Sequence, residues 1–283
     1  MFRVLKKIKK LITTVTIIAL LFTGIVILPM YIETLDSSLM VSMHTDSAPA
    51  LIAHRGLSSL YPENTLPAFE GAKEYGFDGF EFDVHTTKDG KWVVIHDDDV
   101  DHMTDGTGEV DNFTLEEILA LNIDNGNGIE EQEMKSLRLT IPTLEQALDV
   151  CKDSDIVPVI ELKDCDVQYL PSLKEMLDEY ELSDKAVIIS FNEEYIEEYR
   201  KLDSDIEILY LANEPTKEDI DWCIENNFGI NFNMWLLYKS FSAIRYAKAN
   251  DVTIAAWTVD NTIFADIMVL FGAEYITTNK ILP

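Results

Sequence analysis

Four segments of this chain put acids or imidazoles where apolar packing would be expected. Glu81-Phe82-Asp83-Val84-His85 reads as a buried strand. Strand side chains alternate faces, so Glu81, Asp83 and His85 point one way and Phe82 and Val84 the other. Two carboxylates aimed together repel unless a proton or a cation lies between them. A second apolar run, Val93-Val94-Ile95, ends in His96-Asp97, and a third ends in Glu161-Leu162-Lys163. Upstream, a short apolar run closes in His54-Arg55-Gly56. Glu81, Asp83 and Glu161 offer three hard oxygen ligands, a set suited to Ca2+ or Mg2+ rather than zinc. Arg55 and Lys163 can hold an anion, and phosphate fits best. His54 and His96 can serve as acid and base. Together they describe metal-assisted cleavage of a phosphodiester. For any one of these residues a satisfied structural role is the simpler expectation. Their recurrence at several strand ends is harder to dismiss, because burying charge without a purpose is costly.

Alternating strand and helix segments must position these groups. Strands are expected at 50–54, 79–86, 92–96, 157–161, 186–190, 206–211, 229–233, 253–259 and 274–277. Helices are expected at 65–75, 144–151, 218–226 and 239–250, with a short one near 114–121. Near-continuous apolar strands separated by helices imply a parallel sheet covered on its outer face. At this length an α/β fold of the (β/α)-barrel type leads, and an open doubly wound sheet is second. No Gly-rich fingerprint follows the first strand to support the latter. Nine strands exceed the eight places of a barrel. The Thr87-Lys88-Asp89-Gly90 turn is short enough to join an antiparallel pair, so an irregular barrel is expected there. Such a pair would set His96 across from the Glu81/Asp83 face, an expectation that a one-residue slip would undo. Residues 97–140 read as a loop-rich insertion, a lid or a tolerated surface excursion.

The chain has 283 residues and a net charge of −29. Arg3, Lys6, Lys7, Lys9 and Lys10 crowd the first ten positions, leaving 17 basic residues against 51 acidic ones in the rest. A body so acidic should repel nucleic acid and anionic lipid. Residues 11–30 are almost wholly apolar. Twenty helical residues span about 30 Å, the thickness of a bilayer core. The expected order is a basic cytoplasmic tail at 1–10, a transmembrane signal anchor at 11–30, a linker at 31–48 and the barrel at 49–283. The positive flank would stay inside, placing the barrel outside a cell membrane. Secretion after signal cleavage is the competing expectation. Cys151, Cys165 and Cys223 show neither metal spacing nor a disulfide framework, and small buried residues are expected.

The ordered series His54-Arg55-Gly56, Pro62-Glu63-Asn64-Thr65, Glu81-Phe82-Asp83-Val84, Thr87-Lys88-Asp89-Gly90 and Val94-Ile95-His96-Asp97 resembles the glycerophosphodiester phosphodiesterase family. The similarity continues through Asp105-Gly106-Thr107-Gly108, Ile141-Pro142-Thr143-Leu144, Glu161-Leu162-Lys163 and Trp257-Thr258-Val259-Asp260. The resemblance implies an irregular TIM barrel and one divalent cation, Ca2+ or Mg2+. It implies hydrolysis of glycerophosphodiesters to sn-glycerol 3-phosphate and an alcohol. By motif, Glu81, Asp83 and Glu161 look like metal ligands, and His54 and His96 like general base and general acid. Arg55, Asn64, Lys163 and Trp257 look like substrate contacts, Asn64 alternatively as a support for the His54 loop and Trp257 as a wall against glycerol. His85 looks like a group beside the site. Two departures stand out. The last strand reads Thr277-Thr278-Asn279 where the family often has Thr-Asp, and His102-Met103-Thr104 lacks an Arg often found before the Thr. A lysophospholipase D-like activity on membrane lysolipids and a non-catalytic binding role are the alternatives carried forward.

Overall fold

A computed structural model describes residues 48–131 and 136–282. The expectations for residues 1–47, including the anchor, fall outside the described residues. Among the described residues no helix is long and apolar enough to cross a membrane.

Nine strands form one sheet: β1 (Ala50–Ala53), β2 (Gly79–Thr86), β3 (Trp92–Val94), β4 (Val157–Leu162), β5 (Val187–Ser190), β6 (Glu207–Ala212), β7 (Gly229–Asn233), β8 (Ile254–Trp257) and β9 (Tyr275–Thr278). Their order is β1-β9-β8-β7-β6-β5-β4-β2-β3, and β1 also pairs with β2. Eight parallel strands therefore close on themselves as a TIM-barrel-like α/β fold. β3 lies outside the ring, antiparallel to β2. The helices are α1 (Leu66–Glu74), α2 (Leu115–Ala120), α3 (Leu144–Cys151), α4 (Leu170–Glu179), α5 (Glu193–Leu202), α6 (Lys217–Asn226), α7 (Leu237–Ala249) and α8 (Thr262–Phe271).

Strand alternation sorts the side chains into two cores. Outward residues Phe80, Phe82, Ile160, Ile188, Ile208, Ile230 and Ile254 pack with the helices. Inward residues Ile52, Val159, Val187, Ile189, Leu209, Leu211 and Ala255 fill the barrel. Phe69 of α1 stacks on Phe80, ring centroids 4.5 Å apart, and tilts against Phe82 at 5.6 Å. Helix starts follow local chemistry. Thr143 and Thr216 form reciprocal capping boxes with Gln146 and Asp219, satisfying otherwise unpaired N–H groups. Asn192 and Asn261 cap α5 and α8 with their side-chain oxygens.

The insertion builds its own small core. Val100, Met103, Val110, Ile118, Ile123 and Ile141 cluster with Val93 and Ile95. Val94, pointing the other way, joins the barrel-and-helix core instead.

The β2–β3 hairpin confirms the expected antiparallel pair but corrects its end. Val84 pairs with Val94, so the next same-face partner of His96 would be Phe82, on the wrong side for chemistry. The strand stops at Val94. Ile95 N–H still donates to Asp83 O at 3.0 Å, and the chain then leaves the ladder. His96 reaches the site by leaving the sheet rather than by pairing within it.

Candidate active site

A cavity of about 250 Å3 opens among the C-terminal ends of the strands, lined by His54, Arg55, Glu81, His96, Glu161, Lys163 and Trp257 among others. Loops after parallel strands converge here, as in barrel enzymes generally.

The carboxylates come from adjacent strands in matched register. β2 and β4 run parallel with Asp83 opposite Glu161. One oxygen from each of Glu81, Asp83 and Glu161 lies within 4.8 Å of the others. Glu81 and Asp83 are 2% and 1% exposed. Burial, then Asp83 and Glu161 nearby, pushes the Glu81 carboxyl well above its usual range. Burial and Asp83 raise Glu161 to about 7, outweighing the Lys163 ammonium. Lys163 is the converse case. Burial opposes its charge, yet Glu161 and Asp83 together raise it. Glu81 Oε1 and Asp83 Oδ1 are buried without a hydrogen-bond partner among the described residues. Three hard oxygens with two orphaned atoms fit a divalent cation, whose charge would relieve both repulsion and desolvation.

The cationic groups stand around this cluster. Lys163 Nζ lies 3.0 Å from Glu161 Oε1 and 3.9 Å from Asp83 Oδ1. Arg55 takes a left-handed backbone, φ 57°, and its main-chain N–H donates to Glu81 Oε2 at 2.8 Å. Its guanidinium donates to Glu63 Oε1 at 2.8 Å and sits 3.6 Å from Asp83 Oδ2. Burial works against the Arg55 charge, but Asp83 and Glu63 raise its pKa further.

The structure places Asn64 differently from expectation. It does not line the cavity. Asn64 is 4% exposed and takes a left-handed backbone, φ 55°. Its Nδ2 donates to Asp83 Oδ2 at 2.8 Å, and its Oδ1 accepts from Asp83 N–H at 3.3 Å. Its amide fixes the Asp83 carboxylate and main chain as a clamp. Glu63 and Asn64 thus divide the work of the Pro-Glu-Asn motif, one on Arg55 and one on Asp83.

Each cavity histidine has one ring nitrogen engaged. His54 Nδ1 lies 2.7 Å from Asn279 Oδ1, and its Nε2 is 3.9 Å from Glu81 Oε2. Burial, then Arg55, lowers the His54 pKa. His96 Nδ1 lies 2.7 Å from Asp97 Oδ1. Asp97 stays below the usual carboxylate range: burial opposes its charge, but the His96 hydrogen bond outweighs it. His85 shares the inward parity of Glu81 and Asp83, yet its Nε2 lies 3.3 Å from the His96 carbonyl. It supports the His96 backbone and is not among the cavity-lining residues.

The far wall was not legible in advance. Ile189, Phe191, Leu211, Asn231, Thr258 and Thr277 complete the lining. Phe191 meets Trp257 edge-on at 5.8 Å. Asn231 Oδ1 and Trp257 Nε1 are buried without hydrogen-bond partners among the described residues. The available signal was Asn231 itself, an amide in the otherwise apolar run Gly229-Ile230-Asn231-Phe232.

The glycerophosphoryl diester phosphodiesterase family model matches residues 54–282. The chain belongs to this family. A glycerophosphodiester phosphodiesterase of Caldanaerobacter subterraneus subsp. tengcongensis is 35% identical over 238 residues, covering 81% of this chain and 93% of the relative. A crystal structure of a glycerophosphodiester phosphodiesterase from Parabacteroides distasonis is similar with a TM-score of 0.69 at 28% identity, covering 83% of this chain and 94% of that one. A phosphodiesterase of Oleispira antarctica in complex with the product sn-glycerol-3-phosphate shares the fold, with a TM-score of 0.73 at 24% identity, covering 85% and 95%. As a member of the glycerophosphoryl diester phosphodiesterase family, the chain is a phosphoric diester hydrolase. Its acidic triad is able to hold an ion.

Proposed function

We propose that this enzyme hydrolyses glycerophosphodiesters to sn-glycerol 3-phosphate and an alcohol, with His54 as general base and His96 as general acid. The observation that carries the reading is a cavity lined by both histidines, by Glu81 and Glu161 of the acidic triad, and by the cations Arg55 and Lys163, with Asp83 buried beside the other two carboxylates. Glu81, Asp83 and Glu161 would hold one divalent cation, Ca2+ or Mg2+, and its hard oxygen donors favour these over zinc. Bound there, the cation would offset negative charge on the phosphoryl oxygens and on the triad.

The chain's own residues do the rest. Arg55 and Lys163 bind the phosphate, and Glu63 braces the Arg55 guanidinium. His54 removes a proton from the substrate's glycerol hydroxyl next to the phosphate, which attacks phosphorus. His96 protonates the departing alkoxide. In the second half the roles reverse: His96 takes a proton from water, and His54 returns one to the glycerol oxygen as the cyclic phosphate opens. The hydrogen-bond partners suit this division. His54 has burial against its charge and a neutral amide at Nδ1, which favours a base. His96 has a carboxylate at Nδ1, which suits a proton donor. On the far wall the unpaired Asn231 oxygen and Trp257 N–H match a hydroxyl, which both donates and accepts.

The apolar segment at 11–30 and its basic flank support an anchored enzyme working outside the cell membrane, so the lysolipid reading stays a direct competitor for the same cavity. The full chain, supplied with Ca2+ or Mg2+, is expected to release glycerol 3-phosphate from glycerophosphocholine or glycerophosphoethanolamine. Chelation or His54→Ala is expected to stop it. Unchanged turnover in a His54→Ala, His96→Ala double variant would refute the mechanism, and faster choline release from lysophosphatidylcholine would favour the lysolipid substrate.

A further inference from the structure

Asn279 entered the sequence reading only as a departure at the end of the last strand. Its surroundings give it a definite task. Asn279 follows β9, and Asp260 lies three residues beyond β8, the neighbouring strand. Asp260 Oδ1 accepts from Asn279 N–H at 2.8 Å and from Thr278 Oγ1 at 3.1 Å. Asp260 Oδ2 accepts from Asn279 Nδ2 at 2.9 Å. A carboxylate only accepts, so the amide nitrogen must face it. The flipped amide would set two oxygens against each other. Asn279 Oδ1 is therefore turned toward His54, 2.7 Å from Nδ1, with Ser58 Oγ as a weaker second donor at 3.4 Å. That oxygen also only accepts, so the proton of the neutral ring must sit on Nδ1. Nε2 is left with its lone pair, on the side toward Glu81 and the cavity.

We propose that Asp260 and Asn279 are positioning residues that hold His54 in the Nδ1–H tautomer, with Nε2 presented to substrate. Direction passes along the chain Asp260 to Asn279 to His54, each acceptor fixing the donor after it. The competing role is a staple that joins the ends of β8 and β9 and has no bearing on the imidazole. The proposal rests on the reading of His54 as the proton acceptor, and its test separates the two.

The experiment compares the full chain with Asn279→Leu, which removes the acceptor at similar volume, and Asp260→Asn, which keeps shape but lets the Asn279 amide turn. Long-range proton–nitrogen spectra of the histidine rings, with His54 identified by its absence in His54→Gln, report the tautomer directly. Wild type should show a single Nδ1–H form for His54, and both variants a mixture. With glycerophosphocholine, kcat should fall about 10- to 100-fold in Asn279→Leu while KM changes less than about 2-fold, the size expected when an outer partner of a working histidine is lost. If Asn279→Leu does not fold, Asp260→Asn carries the test, with a smaller loss of kcat in the same direction. A persistent Nδ1–H form, or wild-type kcat in a folded variant, overturns the proposal. A wild type inactive on every glycerophosphodiester, but with the tautomer shift intact, overturns the functional reading and leaves the positioning role standing.

Discussion

Asp83 and Glu161 stand directly opposite each other on adjacent parallel strands, both nearly buried. Their closeness, with Glu81 beside them, makes the barrel's stability depend on pH. Burial first, then Asp83, raises Glu161 from about 4.5 unfolded to about 7 folded. The folded state then binds more protons than the unfolded one between these values. Stability is therefore present at low pH and is lost as pH rises through 7, by an amount on the order of 3 kcal/mol. A bound cation takes the place of the proton. In thermal melts with chelator, Tm should fall from pH 5 to pH 8, and saturating Ca2+ or Mg2+ should raise it more at pH 8 than at pH 5. Equal cation effects at both pH values would contradict a cation held by this triad.

Glu63 offers a test of how Arg55 is held. Its carboxylate braces the guanidinium from outside the cavity. Glu63→Leu should free the Arg55 head and reduce kcat/KM about 10-fold, comparable to loss of one charge-assisted hydrogen bond. Steady-state kinetics on glycerophosphocholine measures it. An unaltered kcat/KM would mean Arg55 needs no brace.

Phe82 lies between Glu81 and Asp83 in sequence but packs on the opposite face. Its ring sits 5.6 Å from Phe69 and 5.7 Å from Phe80. Phe82→Ala should cost about 3–5 kcal/mol through lost burial and a residual cavity. Urea denaturation followed by far-UV circular dichroism reads this as a lower midpoint at similar slope. A loss below about 1 kcal/mol would mean the three-ring cluster collapses without penalty.

The three cysteines are free and buried. Burial pushes each thiol up to about 12. At pH 8 they should react with Ellman's reagent at well under a tenth of the rate of a free thiol, and rapidly once the chain is unfolded. A thiol that titrates at once in the native enzyme would contradict the burial of Cys151, Cys165 or Cys223.

The barrel was legible because its strands, covered on both faces, read as apolar runs such as Val187-Ile188-Ile189. Thr143 announced α3 because a capping box is a local device. The acidic triad was legible because Glu81 and Asp83 break such a run within β2 and Glu161 breaks one near the end of β4. What stayed hidden depends on contacts far apart in the chain. Asn279 meets His54 across 225 positions and shows no local sign of doing so. The Asn64 clamp on Asp83 was hidden because its partner comes 19 residues later, and only the closed ring brings them together. The departure of His96 from its ladder was hidden because Ile95 continues the apolar pattern after pairing has ceased.

The three-residue strand β3 belongs to two cores at once. Val94 is anchored in the barrel's outer layer, while Val93, and Ile95 just past the strand, are gripped by the insertion. His96, the proton donor proposed above, is thus a tenant of both structures. A loosened side chain as remote as Met103 or Ile118 would reach His96 through Ile95, although neither touches the cavity. Drift in the insertion's packing would be registered in turnover before it was registered in the fold.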